Sequence, residues 1–260
     1  MPVELFDVAL ELARKTVGTK RGSATAAGTT STLIDTKRRE DARAWTQGSL
    51  FLLSGTLARL FVEITKSDKN TFTFAAQASP PGSGARYEVC AQELNLDVMR
   101  RCVNTALTDL KDIRKENSAL VTVANQEEYT LPAGVRDVKR VEIARQTATP
   151  FYFHTNNHWD EIGGKLRFAS GWAPHYAGFT MRLTYLGPHA ELDAAGDDVD
   201  QQIPLMALVW AAAVVFWRDE YRTTRGEQKD VEAWLNDATS NAGKNPSLVD
   251  RGRDPRYGDW

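Results

Sequence analysis

At 260 residues the chain can build one large domain or two small ones, and 42% hydrophobic with 25% charged residues is the make-up of a folded globular protein. A formal net charge of −2 lacks the excess of Lys and Arg on which general nucleic-acid binding depends. The two cysteines, Cys90 and Cys102, form no CxxC pair and no disulfide framework, so a reducing compartment is the default.

The first segment, MPVELFDVALELARK, mixes Glu4, Asp7 and Glu11 with apolar residues. That argues against a signal peptide and predicts an amphipathic helix over 3–17, with Phe6, Ala9, Leu10, Ala13 and Val17 on one stripe and Gly18 as its stop. A Gly-, Ser- and Thr-rich stretch follows, then GSLFLLSG (48–55), RLFVEITKS (59–67) and NTFTFAAQ (70–77). Their alternation predicts a small β module over 25–89, close to the lower size limit for independent stability.

Helical spacing returns at 93–116, where Leu94, Val98, Cys102, Ala106, Leu107, Leu110 and Ile113 share a face. A second β region spans 119–187. Within it Pro132 interrupts an extended run, Ala133-Gly134 turns the chain, and Val135, Val138, Val141 and Ile143 form the apolar side of a new strand. Phe179, Met181, Leu183 and Tyr185 alternate strictly and give the clearest strand signal.

The run HAELDAAGDDVD (189–200) is an acidic loop whose last residues suit the positive N-terminus of the next helix. That helix, over 203–222, contains fifteen uncharged residues from Ile203 to Trp217. Fifteen residues reach roughly 22 Å, short of a hydrocarbon core of about 30 Å, so the segment reads as a buried helix and no membrane partner is expected. Leu205, Leu208, Val209, Phe216 and Trp217 are its candidate packing residues, inside the bundle and against a second subunit. A last helix is expected over 227–242, with Val231, Trp234, Leu235 and Ala238 inward, and residues 243–260 form a Pro- and Gly-containing disordered tail. The sum is an α+β fold: a helical bundle carrying two β regions. Its parts are a helical core (1–24, 90–118 and 200–242), an inserted β module (25–89), a second β region (119–199) and the tail.

No residue pattern announces an enzyme, and none of the candidate sites below asks for a cofactor. His154 and His158 are four apart but sit among strand and loop residues, without the three or four ligands of a zinc site. Asp193, Asp197, Asp198 and Asp200 lack the ligand alternation and terminal Glu of an EF-hand loop. PPGSGARY (80–87) has two glycines but no following Lys-Ser/Thr and no helix, which excludes a phosphate loop. The tail is different: Leu248, Val249, Arg251, Arg253, Arg256, Tyr257 and Trp260 include the residue types that anchor interfaces, so it is a candidate docking segment.

Three stretches resemble the head-to-tail adaptor (head-completion, or connector) proteins of tailed bacteriophages. GTTSTLIDT (28–36) with GSLFLLSG is similar to the Thr-rich β opening of such virion proteins. MRRCVNTALTDLKDI (99–113) resembles their helix with an Asn-x-Ala-Leu centre, and EEYTLPAGVRDVKRVEI (127–143) resembles the Tyr-x-Leu-Pro turn that follows it. The likeness covers most of the chain as an order of elements, although smaller family members are mostly helical bundles. It implies a homo-oligomeric, dodecameric ring below the portal, in the neck of the virion and assembled in the host cytoplasm. The ring extends the DNA channel without binding DNA specifically and offers a surface to tail or neck proteins, with the tail docking on the portal protein. A tail-terminator or tail-tube component is the near alternative. A glycan-binding or hydrolytic β module, stacking sugars on Trp159, Trp172 and Tyr176, is the alternative from another class.

Overall fold

The structure is a computed structural model and describes residues 2–110, 112–145 and 152–221, together with 233, 236, 237 and 239–241. Helix α1 (Leu5–Lys15) begins where the Asp7 carboxylate accepts the Glu4 backbone N–H at 3.1 Å, which satisfies one of the donors that a helix start leaves open. Its buried stripe is Leu5, Val8, Ala9 and Leu12, and Arg14 and Lys15 occupy the last turn, at the negative end of the helix dipole.

Six strands follow: β1 (Lys20–Ser23), β2 (Thr32–Ile34), β3 (Ser49–Leu52), β4 (Leu60–Ser67), β5 (Thr71–Phe74) and β6 (Arg86–Cys90). They pair antiparallel in the order β1-β6-β3-β4-β5-β2 and curl into a half-barrel. Alternation decides which side chain faces which way. Leu50, Leu52, Val62, Ile64 and Phe72 fill the inside of the curl. Phe51 and Phe61 point to the other face and meet Phe6 of α1, with ring centroids 5.9 and 6.4 Å away. The two edges of the curl meet where the chain leaving β1 donates Thr25 N–H to Ile34 O at 2.9 Å.

Helix α2 (Leu96–Asp109) starts at Asn95, whose Oδ1 accepts Val98 N–H at 3.0 Å. Helix α3 (Leu205–Val215) continues as a π-helical turn over Phe216–Tyr221 and packs against both α1 and α2. The described residues divide into two compact units, one from 1–110 with 190–260 and the other from 111–189. The second unit holds β7 (Ile113–Val121), β8 (Glu128–Thr130), β9 (Arg136–Ala144), β10 (Phe153–Asn156), β11 (Trp159–Ile162), β12 (Lys165–Phe168) and β13 (Thr180–Gly187). They form a four-stranded sheet, β10-β9-β13-β7, and a three-stranded one, β11-β12-β8, which share one core built on Tyr129, Val141, Leu166, Phe168, Met181 and Leu183.

The expected helical bundle is overturned. Among the described residues there are thirteen strands in three antiparallel sheets and only four short helices, with 23% of the chain helical. The clearest departure lies in 93–116. Helix α2 stops at Asp109, Leu110 takes an extended ψ of 149°, and Ile113 opens strand β7 instead of closing a helical stripe. Pairing with β13, from Ile113 against Gly187 to Val121 against Thr180, outweighs a helical periodicity that is real only as far as Leu107. The helices expected over 3–17 and 203–222 are present as 5–15 and 205–221. Of the helix expected over 227–242, the described residues are helical, whereas its inward residues Val231, Trp234, Leu235 and Ala238 lie outside the described residues. Among the described residues no helix is long and apolar enough to cross a membrane.

Phe51 is fully buried and joins α1 to the outer face of the half-barrel through Phe6 and Phe61. Phe51→Ala is expected to destabilise the chain by about 3–5 kcal/mol, because transfer and cavity terms add at a site with little room to collapse. A urea melt at neutral pH checks this; a loss below about 1 kcal/mol would show that the junction is loosely packed.

Candidate functional site

Two surface features have the concavity and chemistry of a site. The first lies in the helix-containing unit, at the open seam of the half-barrel. It is a cleft of about 460 Å³ lined by β1 and its exit, by the segment Asp35–Glu40 leaving β2, and by Trp45, Tyr87 and Val89. Five cations (Lys20, Arg21, Lys37, Arg38 and Arg39) face two carboxylates, Asp35 and Glu40.

Its floor is a buried polar network. The Tyr87 hydroxyl donates to Asp35 Oδ2 at 2.7 Å, and burial together with this bond raises the phenol far above its ordinary value. Gly22 must be glycine, because a Cβ there would lie 2.2 Å from the buried, hydrogen-bonded Tyr87 ring. Arg38 is also buried. Its guanidinium lies 3.7 Å from the Phe72 ring centre and donates to Asp68 O and Ser67 Oγ, both at 3.2 Å. Burial alone would push the Glu40 carboxyl up, but its pairs with Lys20 and Arg38 bring it down to about 2. Lys37 and Arg39 are exposed and have no carboxylate partner among the described residues. The indole Nε1 of Trp45 is a buried donor with no acceptor among the described residues.

Beneath the same strand, Glu88 has no exposed surface. It accepts from Arg14 Nε at 2.9 Å, Thr19 Oγ1 at 2.6 Å and Arg21 Nε at 2.8 Å, and so ties the end of α1 to β1 and β6. Burial pushes this carboxyl up, yet the three donors outweigh it and hold it down to about 2.

The second feature is a groove of about 710 Å³ in the other unit, between strand β10 and the segment Gly171–Phe179. Trp172 is 53% exposed and stacks on His158 at 3.5 Å, and Tyr176 is 74% exposed. Of the three aromatics singled out from sequence, Trp172 and Tyr176 line this groove together with His154 and His175. Trp159 is instead half-buried against the core. His154 and His158 belong to a strand and the turn after it, and among the described residues no group of three or more His, Cys, Asp or Glu could hold a metal ion. Burial pushes both thiols, Cys90 and Cys102, up to about 12, which suits small core residues and not nucleophiles.

The acidic run does not serve α3 alone. Asp200 Oδ1 accepts Gln202 N–H at 2.8 Å just before α3, but the carbonyls of Ala195 and Asp197 take the Phe6 and Leu5 N–H groups and so cap α1. Of the five packing residues on α3, Leu208, Val209, Phe216 and Trp217 are buried in the chain's own core and Leu205 is half-buried. The stripe still partly open is Met206, Trp210 and Val214, which sequence reading passed over because the helix is apolar all round. The docking residues Leu248, Val249, Arg251, Arg253, Arg256, Tyr257 and Trp260 lie outside the described residues.

Glu88 makes acid stability testable. Its folded carboxyl sits near about 2 against an ordinary 4.5, so its contribution is complete above about 4.5 and is lost as pH falls from there through about 2. Glu88→Ala is expected to cost about 3–5 kcal/mol at neutral pH, because it strands Arg14 half-buried without its main carboxylate. Glu88→Gln keeps an acceptor, should cost less, and should flatten the acid limb. Urea melts across this pH range check both; an unchanged acid limb in the Gln variant would assign acid sensitivity to other groups.

No protein-family model matches the chain, and no curated protein matches it.

Proposed function

We propose that the chain is a structural virion subunit, a head-to-tail adaptor that forms a ring beneath a portal and carries the attachment surface for the tail. What supports this reading is that a residue at the heart of each resembling stretch occupies a framework position. The observation that weighs most is Asn104, the Asn of the Asn-x-Ala-Leu centre. Its Nδ2 donates to Leu192 O at 2.9 Å, and Leu192 N–H donates back to Oδ1 at 2.9 Å, so one side chain fixes the acidic loop on α2. In the Tyr-x-Leu-Pro turn the Tyr129 hydroxyl accepts Val123 N–H at 2.9 Å and donates to Val123 O at 3.0 Å. Gly134, at φ 79°, then closes a turn in which Val135 N–H reaches Pro132 O. In the Thr-rich opening, Thr29 and Thr32 bond to each other at 2.8 Å as the chain turns into β2. Motif residues used in this way position segments.

The partly open Met206, Trp210 and Val214 stripe gives α3 a face for a neighbour. A glycan-binding module is the second reading, favoured by the exposed Trp172 and Tyr176 of the second groove. Screening Trp172→Ala beside the parent chain on a glycan array separates the two.

The adaptor reading predicts attachment to portal rings. Removal of residues 244–260 is expected to leave the thermal melt unchanged and to abolish co-sedimentation with portal rings, with Trp260→Ala giving a partial loss. The expected offset is narrow: ordering loses roughly 1–2 kcal/mol per residue, and four large apolar side chains return about 1.5–3 kcal/mol each. Full attachment of the shortened chain would remove the docking role from the tail. Absence of attachment by the intact chain would remove the adaptor reading.

A further inference from the structure

The acidic loop and the basic cleft lie at opposite ends of α1. The loop caps the first turn, through Leu5 N–H to Asp197 O at 2.9 Å and Phe6 N–H to Ala195 O at 3.0 Å. The cleft starts at Lys20, just beyond the last turn. Eleven helical residues put about 16 Å between the two ends, so neither can satisfy the other within one chain. Glu191, Asp193 and Asp198 are exposed, and the Asp193 carboxylate is 92% exposed with Arg100 Nε no closer than 4.0 Å. Asn104 anchors this loop to α2 at Leu192, which lowers the ordering entropy lost on docking it.

We infer that the seam cleft receives the acidic loop of a second copy of this chain, which joins subunits head to tail. Lys37 and Arg39 meet Glu191, Asp193 and Asp198 of the neighbour. Because the two surfaces differ, every subunit offers one of each, and repetition gives a ring where the rotation closes and a filament where it does not. The inference deepens the adaptor reading and rests on it for closure of the ring alone. A nucleic-acid backbone is the competing occupant of a basic cleft. The matched acidic surface on the same chain, with Glu191, Asp193 and Asp198 exposed, favours the neighbour.

The test uses the full chain with three cysteine variants, Arg39→Cys, Asp193→Cys and the two combined, and a short bis-maleimide cross-linker. The native Cys90 and Cys102 are buried and do not compete. Mixed single variants should stop at dimers, the double variant should give a ladder, and either single variant alone should give neither. Lys37→Glu with Arg39→Glu, cross-linked through Ser23→Cys in place of position 39, should cut dimer yield about tenfold, and Glu191→Lys with Asp198→Lys on the Asp193→Cys partner should restore it. Both sets of changes are on exposed side chains, and unchanged thermal melts confirm folding. Equal cross-linking with reversed charge, or dimers from one single variant alone, would overturn the head-to-tail contact. So would retention of a DNA duplex that charge reversal abolishes while no ladder forms. A ladder without portal attachment would leave the contact standing and remove the adaptor reading; attachment without a ladder would do the reverse.

Discussion

A carboxylate without exposed surface, Glu88, sets the junction between α1 and the half-barrel. Taking such a charge out of water costs several kcal/mol, which only well-placed donors offset. Here the donors come from three places in sequence: Arg14 on α1, Thr19 in the link and Arg21 on β1. The phenylalanine contacts of Phe6 with Phe51 and Phe61 supply non-directional attraction, which tolerates sliding. The Glu88 bonds do not tolerate it, because a shift of one residue in β6 would turn the carboxylate to the other face of the sheet. Packing holds the helix on the sheet, and the buried charge fixes where it sits.

The second unit repeats the device. Glu142 on β9 is buried and lies between Arg140 and Arg182, with the Arg182 guanidinium 4.1 Å from the Phe153 ring centre. In both units a central strand carries a glutamate, and arginines on the same or neighbouring elements neutralise it. A register error therefore exposes apolar residues and also buries an unpaired charge. Antiparallel sheets with short connections need that double penalty, since alternation alone leaves slipped registers close in energy.

What could be read from the residues depended on the range of the interaction. Helix α1 and strands β4 and β13 follow local periodicity, and their positions in the structure match it within two or three residues. The expectation for 93–116 failed because the competing partner of Ile113–Val121 is β13, whose paired residues lie 59 to 74 positions further on. Strand β9 shows the same limit on a smaller scale. Val138 and Val141 are three apart yet both buried, because the register slips between Tyr185 opposite Val138 and Thr184 opposite Arg140, and Lys139 is the extra residue. The basic cleft had no sequence signature at all. Lys20 and Arg21 meet Lys37, Arg38 and Arg39 only because the sheet curls β1 toward β2. In the aromatic groove the residue types were legible, but their grouping was not: Trp172 and Tyr176 converge while Trp159 joins the core.

Net charge was the weakest guide, since −2 is a sum over surfaces that never meet in one chain. One end of α1 carries the acidic loop and the other opens onto Lys37 and Arg39. The helix dipole reinforces the acidic arrangement: exposed carboxylates lie near the positive end, where the loop carbonyls already take the free N–H groups. At the negative end the helix's own Arg14 and Lys15 and the cations of the cleft are all favourably placed against the dipole. A monomer so polarised has no net attraction for a uniformly charged partner, but two copies aligned head to tail place unlike ends together and like ends apart. The Debye length of about 8 Å at physiological salt confines that preference to close approach. Orientation on contact, and not long-range capture, is therefore what the charge pattern supplies to the proposed ring.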